Sequence, residues 1–219
     1  MWKKLGAITI GQSPAEKEVE LFQMKVPDSV EITHVGALDG KSLEEIEQTL
    51  RIYPLIVRID GIDVFIDMEY ISPLIQKKVN ILEKRGVDAN IILCAGTFHS
   101  VKGNKPLLKP SEITFSVLKS LFIKKVGVAS PIKEQNKANE KKWKEAGFEP
   151  IVKSMYPFSE SNVEIKEAAK FFNVRKPDVI CLDCMGYTIE YKNRMKQFTE
   201  IPIVTVKELA SSFLSKFYQ

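Results

Sequence analysis

Nine short runs rich in Val and Ile mark this chain, at residues 5–10, 30–35, 55–59, 64–67, 89–93, 125–129, 150–153, 178–182 and 201–206. They place apolar residues at consecutive rather than alternate positions, as strands covered on both faces do. Charged segments with apolar residues at helical spacing separate most of the runs, at 15–24, 42–50, 72–85, 111–122, 133–146, 160–172 and 207–217. Local signals support several of these helices. Ser42 precedes Glu45 by three residues, a capping box, and Ser72-Pro73 offers a start with Pro at the first helical position. Gly86 and Gly147 stand where two helices should stop. Strand–helix alternation of this kind predicts an α/β fold with mostly parallel sheets.

Two strand ends repeat. Ile91-Ile92-Leu93-Cys94-Ala95-Gly96-Thr97 and Ile180-Cys181-Leu182-Asp183-Cys184-Met185-Gly186-Tyr187-Thr188 each run from an apolar strand into Cys-x-Gly, and a Thr closes each turn. Their cysteines are 90 residues apart (184 − 94). We therefore expect two similar parallel-sheet α/β halves with a cleft between them. The first would span 1–108 and the second 109–203, with the break near the Lys-Pro-rich stretch 102–110. The last strand and helix, 204–219, could return to the first half, a point the sequence leaves open.

Composition removes several functions. The 32 basic and 28 acidic residues leave a net charge of +4, spread along the chain, so dedicated nucleic-acid binding is not expected. No apolar run approaches the roughly 20 residues of a membrane span. Residues 1–10 have a basic beginning but only a short apolar stretch that meets Gly11-Gln12-Ser13-Pro14 at once, so they read as a first strand rather than a targeting segment. Three cysteines are an odd number, which points to reduced thiols and a cytoplasmic setting. No exposed apolar face or basic stripe stands out to mark a regulator or structural partner, though a homodimer stays open. Together the three cysteines, His34 and His99 do not supply four ligands at zinc spacing, and no nucleotide or pyridoxal-lysine motif is present, so no metal or cofactor is expected.

In an open parallel sheet, ligands bind beyond the carboxyl ends of the strands, which is where Cys94 and Cys184 fall. The Gly after each would let a ligand or backbone approach closely. N–H groups of the following turn could hold a carboxylate, and a thiol beside such groups has a lowered pKa. Two such thiols facing a substrate carbon could remove and return its proton on opposite faces. The competing reading is that both are buried core cysteines. Cys181 also forms Cys-x-x-Cys with Cys184, but it lies inside an apolar strand, so a buried structural role fits it better. Residues 11–13 follow the first strand, where backbone N–H groups and the Ser13 hydroxyl could bind an anion, or Ser13 could cap the next helix. Asp39 reads as a solvated turn residue and Asp67 as a candidate for orienting a ligand. His99 reads as a capping or surface His within reach of assisting a thiol. Lys141-Lys142-Trp143-Lys144 reads as a solvated helix face.

Four segments carry a resemblance: 5–14, Gly36-Ala37-Leu38-Asp39, Leu108-Lys109-Pro110-Ser111 and 178–187. Together they resemble the AroM protein family over nearly the whole chain. That family is encoded near shikimate-pathway genes in some enteric bacteria, which links it to aromatic amino-acid metabolism. More distantly, the two Cys turns resemble the aspartate/glutamate/hydantoin racemase superfamily, whose members have two α/β domains with a Cys from each facing the substrate. The resemblance implies Cys94 and Cys184 as acid and base, with Gly11, Gln12 and Ser13 contacting a small anionic substrate. It implies Gly96, Thr97, Gly186 and Thr188 as carboxylate holders, with Tyr187 among the substrate contacts. Two departures stand out. Amino-acid racemases usually place Asn-Thr after the first Cys, where this chain has Ala95-Gly96-Thr97. They usually place Thr-His after the second, where it has Met185-Gly186, closer to the hydantoin-racemase branch. The implied activity is cofactor-independent racemisation or epimerisation at a carbon α to a carbonyl. The alternative is a non-catalytic protein that binds a small carboxylate.

Overall fold

The computed structural model describes residues 2–49, 52–59 and 61–218. Leu50 and Gln219, the ends of two segments assigned above, lie outside the described residues. The chain divides into two compact units, Met1–Ile113 with Ala210–Gln219, and Thr114–Leu209. The first holds β1 (Lys4–Thr9), α1 (Glu16–Gln23), β2 (Glu31–Gly36), β3 (Pro54–Ile59), β4 (Ile62–Asp67), α2 (Met68–Lys84), β5 (Ala89–Leu93), β6 (Leu107–Leu108) and the start of α3 (Pro110–Ser120). The second continues with β7 (Lys125–Ser130), α4 (Asn136–Glu145), β8 (Glu149–Ser154), α5 (Asn162–Arg175), β9 (Val179–Leu182), α6 (Ile189–Lys196), β10 (Ile203–Thr205) and the start of α7 (Val206–Ser215).

Each unit carries one four-stranded parallel sheet, in the orders β2-β1-β5-β6 and β8-β7-β9-β10. The expectation of two similar parallel-sheet halves therefore holds. The likeness extends to single bonds. Asp88 accepts from the Lys3 and Lys4 N–H groups at 2.6 and 2.8 Å, and Asp178 accepts from Lys124 and Lys125 at 3.1 and 2.8 Å. The Asn90 and Ile180 N–H groups both donate to a proline carbonyl, Pro106 and Pro202, at 2.8 Å. The strands are buried as their Val/Ile runs require. Ile8, Ile92, Val79 and Leu82 belong to one core, and Ile180, Leu182, Ala168 and Phe172 to the other.

Several local expectations fail, each for a physical reason. Residues 55–59 and 64–67 belong to an antiparallel hairpin, β3–β4, outside both parallel sheets. Gly61 stands in the turn at φ +80°, a conformation that favours glycine. Among the described residues of 42–50 the one helical piece is a 3₁₀ turn, Leu43–Glu45. The Ser42 N–H does donate to Glu45, but Ile46 turns extended and is buried in the core. Helix α2 starts at Met68, four residues before the proposed Ser72 start, because Asp67 caps it by accepting from the Glu69 N–H at 3.0 Å. Pro73 thus lies inside the helix. Asp67 also accepts from the Ile52 and Tyr53 N–H groups at 2.8 and 3.0 Å, which makes it a structural staple instead of a ligand-orienting residue. Helix α6 carries little apolar patterning, because only Tyr191 and Met195 bury in it. Among the described residues no helix is long and apolar enough to cross a membrane.

The two strand-capping aspartates give a pH prediction. Backbone N–H groups of Lys3 and Lys4 hold Asp88 below its ordinary value of 3.8, and those of Lys125 and Lys124 do the same for Asp178. A carboxyl lowered in the folded state stabilises fully above its unfolded value and loses that contribution as pH falls through the folded one. Urea midpoints should therefore drop below about pH 4, where unfolded carboxyls begin to bind protons. The double variant Asp88→Asn, Asp178→Asn should show a flatter acid limb. An unchanged limb would remove these two carboxylates from the acid response.

Candidate functional site

In the first unit two turns follow the carboxyl ends of adjacent strands. Residues 11–13 follow β1, Cys94 follows β5, and Thr9 pairs with Leu93 at the sheet edge between them. The first turn is tied to the loop after β2. The Gly11 carbonyl accepts from the Leu38 N–H at 3.0 Å, and the Gln12 side-chain amide donates to the Lys41 carbonyl at 2.7 Å. Asp39 accepts from the N–H groups of Ser13 and Gly36, both at 2.7 Å, and from the Ser13 hydroxyl. Lys78 lies 3.8 Å from the same carboxylate. Burial works to raise the Asp39 carboxyl, but these N–H groups, the Ser13 hydroxyl and the Lys78 charge outweigh it and hold it low. Asp39 is thus the anchor of the turn, not a solvated turn residue. Helix α1 begins after Ala15 without a side-chain cap, so Ser13 does not cap it, and its N–H is already given to Asp39.

The two Cys turns share one geometry. The Gly96 N–H points at the Cys94 sulfur at 3.4 Å, and the Gly186 N–H at the Cys184 sulfur at 3.4 Å. An N–H aimed at sulfur favours negative charge there, as near helix N-termini. The glycines are needed for a different approach than the sequence suggested. A Cβ on Gly96 would stand 2.7 Å from the Phe98 ring and 2.9 Å from Met68, and one on Gly186 would stand 3.1 Å from Phe158. The protein's own side chains fill both spaces. Cys94 is buried and Cys184 half-buried, while Thr97 is half-buried and His99 exposed.

Around the second turn the remaining residues take structural places. Tyr187 is fully buried, its hydroxyl donates to the Met155 carbonyl and its ring meets Tyr191 edge-on. Burial, aided by Cys184, Tyr191, Asp183 and Glu164, pushes that hydroxyl up. Its side chain is therefore part of the core, where the resemblance implied a substrate contact. Thr188 is exposed and caps α6, its oxygen accepting from the Tyr191 N–H at 3.1 Å. Cys181 is fully buried in β9, and burial raises its thiol well above the ordinary range.

Three polar groups that support the turns were not recognised in the sequence. The buried Ser111 hydroxyl donates to the Ala95 carbonyl. The Lys109 ammonium donates to the carbonyls of Phe98 and Val101 at 2.7 and 3.0 Å. Both belong to Leu108-Lys109-Pro110-Ser111, which thus clasps the Cys94 turn. On the other side, Asp183 accepts from Lys142 Nζ at 2.6 Å and Trp143 Nε1 at 2.8 Å. Lys142 and Trp143 are buried, so their helix face is not solvated as its charges suggested. Asn139, Lys142 and Trp143 share one inward face at i, i+3 and i+4. Ser111→Ala should cost about 0.5–1.5 kcal/mol, because a buried hydrogen bond is lost. Urea unfolding checks this, and an unchanged midpoint would mean the clasp holds nothing.

Among the described residues no group of three His, Cys, Asp or Glu side chains converges as a metal site would. A concavity of about 560 Å³ lies against α1 and β2, lined by Glu16, Val19, Glu20, Gln23, Ile32 and His34, apart from the Cys94 turn.

The fold is that of Asp/Glu racemase-like proteins. Glutamate racemase from Francisella tularensis, solved in complex with D-glutamate, superposes at TM-score 0.67 with 14% identity, covering 98% of this chain and 80% of that one. Allantoin racemase from Pseudomonas fluorescens gives 0.64 with 17% identity, covering 98% and 89%. Arylmalonate decarboxylase gives 0.64 with 12% identity, covering 98% and 92%. At such identities the likeness speaks for the fold alone. No curated protein matches the chain. The family model described as AroM protein matches residues 5–217, and with the motifs at its strand ends the chain belongs to the AroM family.

Proposed function

We propose that this protein is a cofactor-independent racemase or epimerase that inverts a carbon α to a carbonyl in a small carboxylate- or amide-bearing substrate. The observation that carries the reading is the matched pair of turns, each with a glycine N–H 3.4 Å from a cysteine sulfur at a strand's carboxyl end. One thiolate takes the α-proton and becomes a thiol, leaving the electron pair on the substrate as an enolate. The other thiol then delivers its proton to the opposite face and becomes the thiolate. Two groups of like acidity exchange these roles with the handedness of the substrate. The developing oxyanion needs preorganised donors. In this reading the N–H groups of residues 11, 12 and 97 and the Thr97 and Thr188 hydroxyls supply them, the Gly96 and Gly186 N–H groups being aimed at the two sulfurs, and the Tyr187 side chain does not. Reduced thiols in a chain of this kind suit the cytoplasm.

A second reading has its own observation. Cys94 is only 8% exposed, which fits a bystander thiol in a protein that binds a carboxylate without transforming it. A panel of amino acids, hydantoins and hydroxy acids in deuterated water separates the two. Loss of the α-hydrogen signal by NMR from at least one compound is the expected result. No exchange across the panel would hand the site to binding, or to a cofactor-free lyase of the arylmalonate decarboxylase kind, which carbon dioxide release from substituted malonates would reveal.

A further inference from the structure

We propose that Lys142 is a positioning residue for Cys184: by pairing with Asp183 it fixes the strand end that carries the Cys184 turn and balances the negative charge of the residue that precedes the thiol. The inference rests on the reading that Cys184 works as a thiolate.

Lys142 reaches Asp183 from α4 at 2.6 Å, and the two side chains are 3% and 1% exposed. Removing both charges from water is costly, and apolar residues of similar volume often serve a fold as well or better. A buried pair therefore invites a role other than stability. Its position supplies one, because Asp183 directly precedes Cys184. The Asp183 N–H donates to the Ala129 carbonyl at 3.0 Å, which pins the end of β9 to β7. Its carboxylate is held by Lys142 and Trp143 through one oxygen. The residue after it begins the turn whose Gly186 N–H aims at the sulfur.

The charge of Asp183 already reaches neighbouring acids. It helps to raise the Cys181 thiol, where Lys142 opposes it, and helps to raise the Tyr187 hydroxyl. Unpaired, it would oppose ionisation of Cys184 in the same way. The groups that act electrostatically on Cys181, Tyr187 and Tyr191, which flank the turn, are Asp183 just after β9, Lys142 on α4, Glu164 on α5, Cys184 itself and Arg194 on α6. Lys142 is the cation that touches Asp183. Its ammonium is a compact point charge on a flexible stem, which suits a single-oxygen contact.

The test is the pH profile of Cys184 alkylation by iodoacetamide in the full chain, read by mass spectrometry of the peptide that carries it. Lys142→Met should move the midpoint of the profile up, because it removes the cation that offsets Asp183. The double variant Lys142→Met, Asp183→Asn should return it close to the wild-type midpoint. Asp183→Asn alone, which keeps Lys142 charged, should move it down, and decides the matter if Lys142→Met does not fold. Folded variants with an unmoved midpoint would overturn the proposal. So would a double variant displaced as far as Lys142→Met, or a wild-type Cys184 that is never alkylated. Because no substrate enters the measurement, failure to exchange α-hydrogens would sink the racemase reading and leave this result standing.

Discussion

Cys184→Ser should stop α-hydrogen exchange for one enantiomer of the substrate and leave it for the other. Cys94→Ser should give the mirror pattern. Neither variant should interconvert the enantiomers. Under the racemase proposal, the asymmetry follows from using one thiol on each face. With Cys184 gone, Cys94 can still take a proton and return a deuteron on its own side, so exchange proceeds there without inversion. Ser keeps the size of Cys, but its hydroxyl stays protonated near neutral pH and cannot act as the base. Losing a positioned acid or base lowers the rate by about 10²–10⁴-fold. The fold should survive, since Cys184 sits at the border of its core and not in the middle. Chiral chromatography and NMR in deuterated water check both halves. Equal loss for both enantiomers in either variant, with unfolding unchanged, would argue against two independent bases.

The parallel sheets were readable because strands buried on both faces have no polar side to show, and their Val and Ile stand next to each other. The same property hid β3–β4. Residues 55–59 carry as apolar a run as any central strand, and only Asp60-Gly61 marks them as a hairpin. The Cys turns were readable because Cys-x-Gly follows directly on an apolar run in both halves. Their supports were not, for they act at long range. Ser13 and Asp39 are 26 residues apart and Lys142 and Asp183 are 41 apart, and only the approach of two strand ends, or of a helix to a strand, brings each pair together. Tyr187 misled for a related reason. A Tyr beside a strand-end Cys invites a place at the substrate, yet its hydroxyl finds the Met155 carbonyl 32 residues away and the ring is drawn into the core. Helix α4 was obscured by composition, because four lysines in ten residues look solvated unless the inward spacing of Asn139, Lys142 and Trp143 is weighed against them.

That spacing carries the largest stability effect we expect. Trp143 is fully buried, meets Phe115 and Phe148 at 4.9 and 5.3 Å, and gives its indole N–H to Asp183. Trp143→Ala should cost about 3–5 kcal/mol, since the lost contacts and the cavity both count against the fold. Asp183 would lose a donor as well. Trp143→Phe keeps much of the apolar volume but still removes that donor, so it isolates the hydrogen bond, worth about 1.5–3 kcal/mol to a charged acceptor. Lys144, on the outward face with its ammonium 2.6 Å from Glu140, is the control, and Lys144→Ala should stay within about 1 kcal/mol of wild type. Urea unfolding measures all three. Because the chain has two units, the transitions can separate. If they do, the loss belongs to the transition that melts Thr114–Leu209, the unit that contains Trp143. A Trp143→Ala protein that unfolds at the wild-type urea concentration would mean that α4 lies against its sheet without being held by it, and the buried face assigned to α4 would have to be given up.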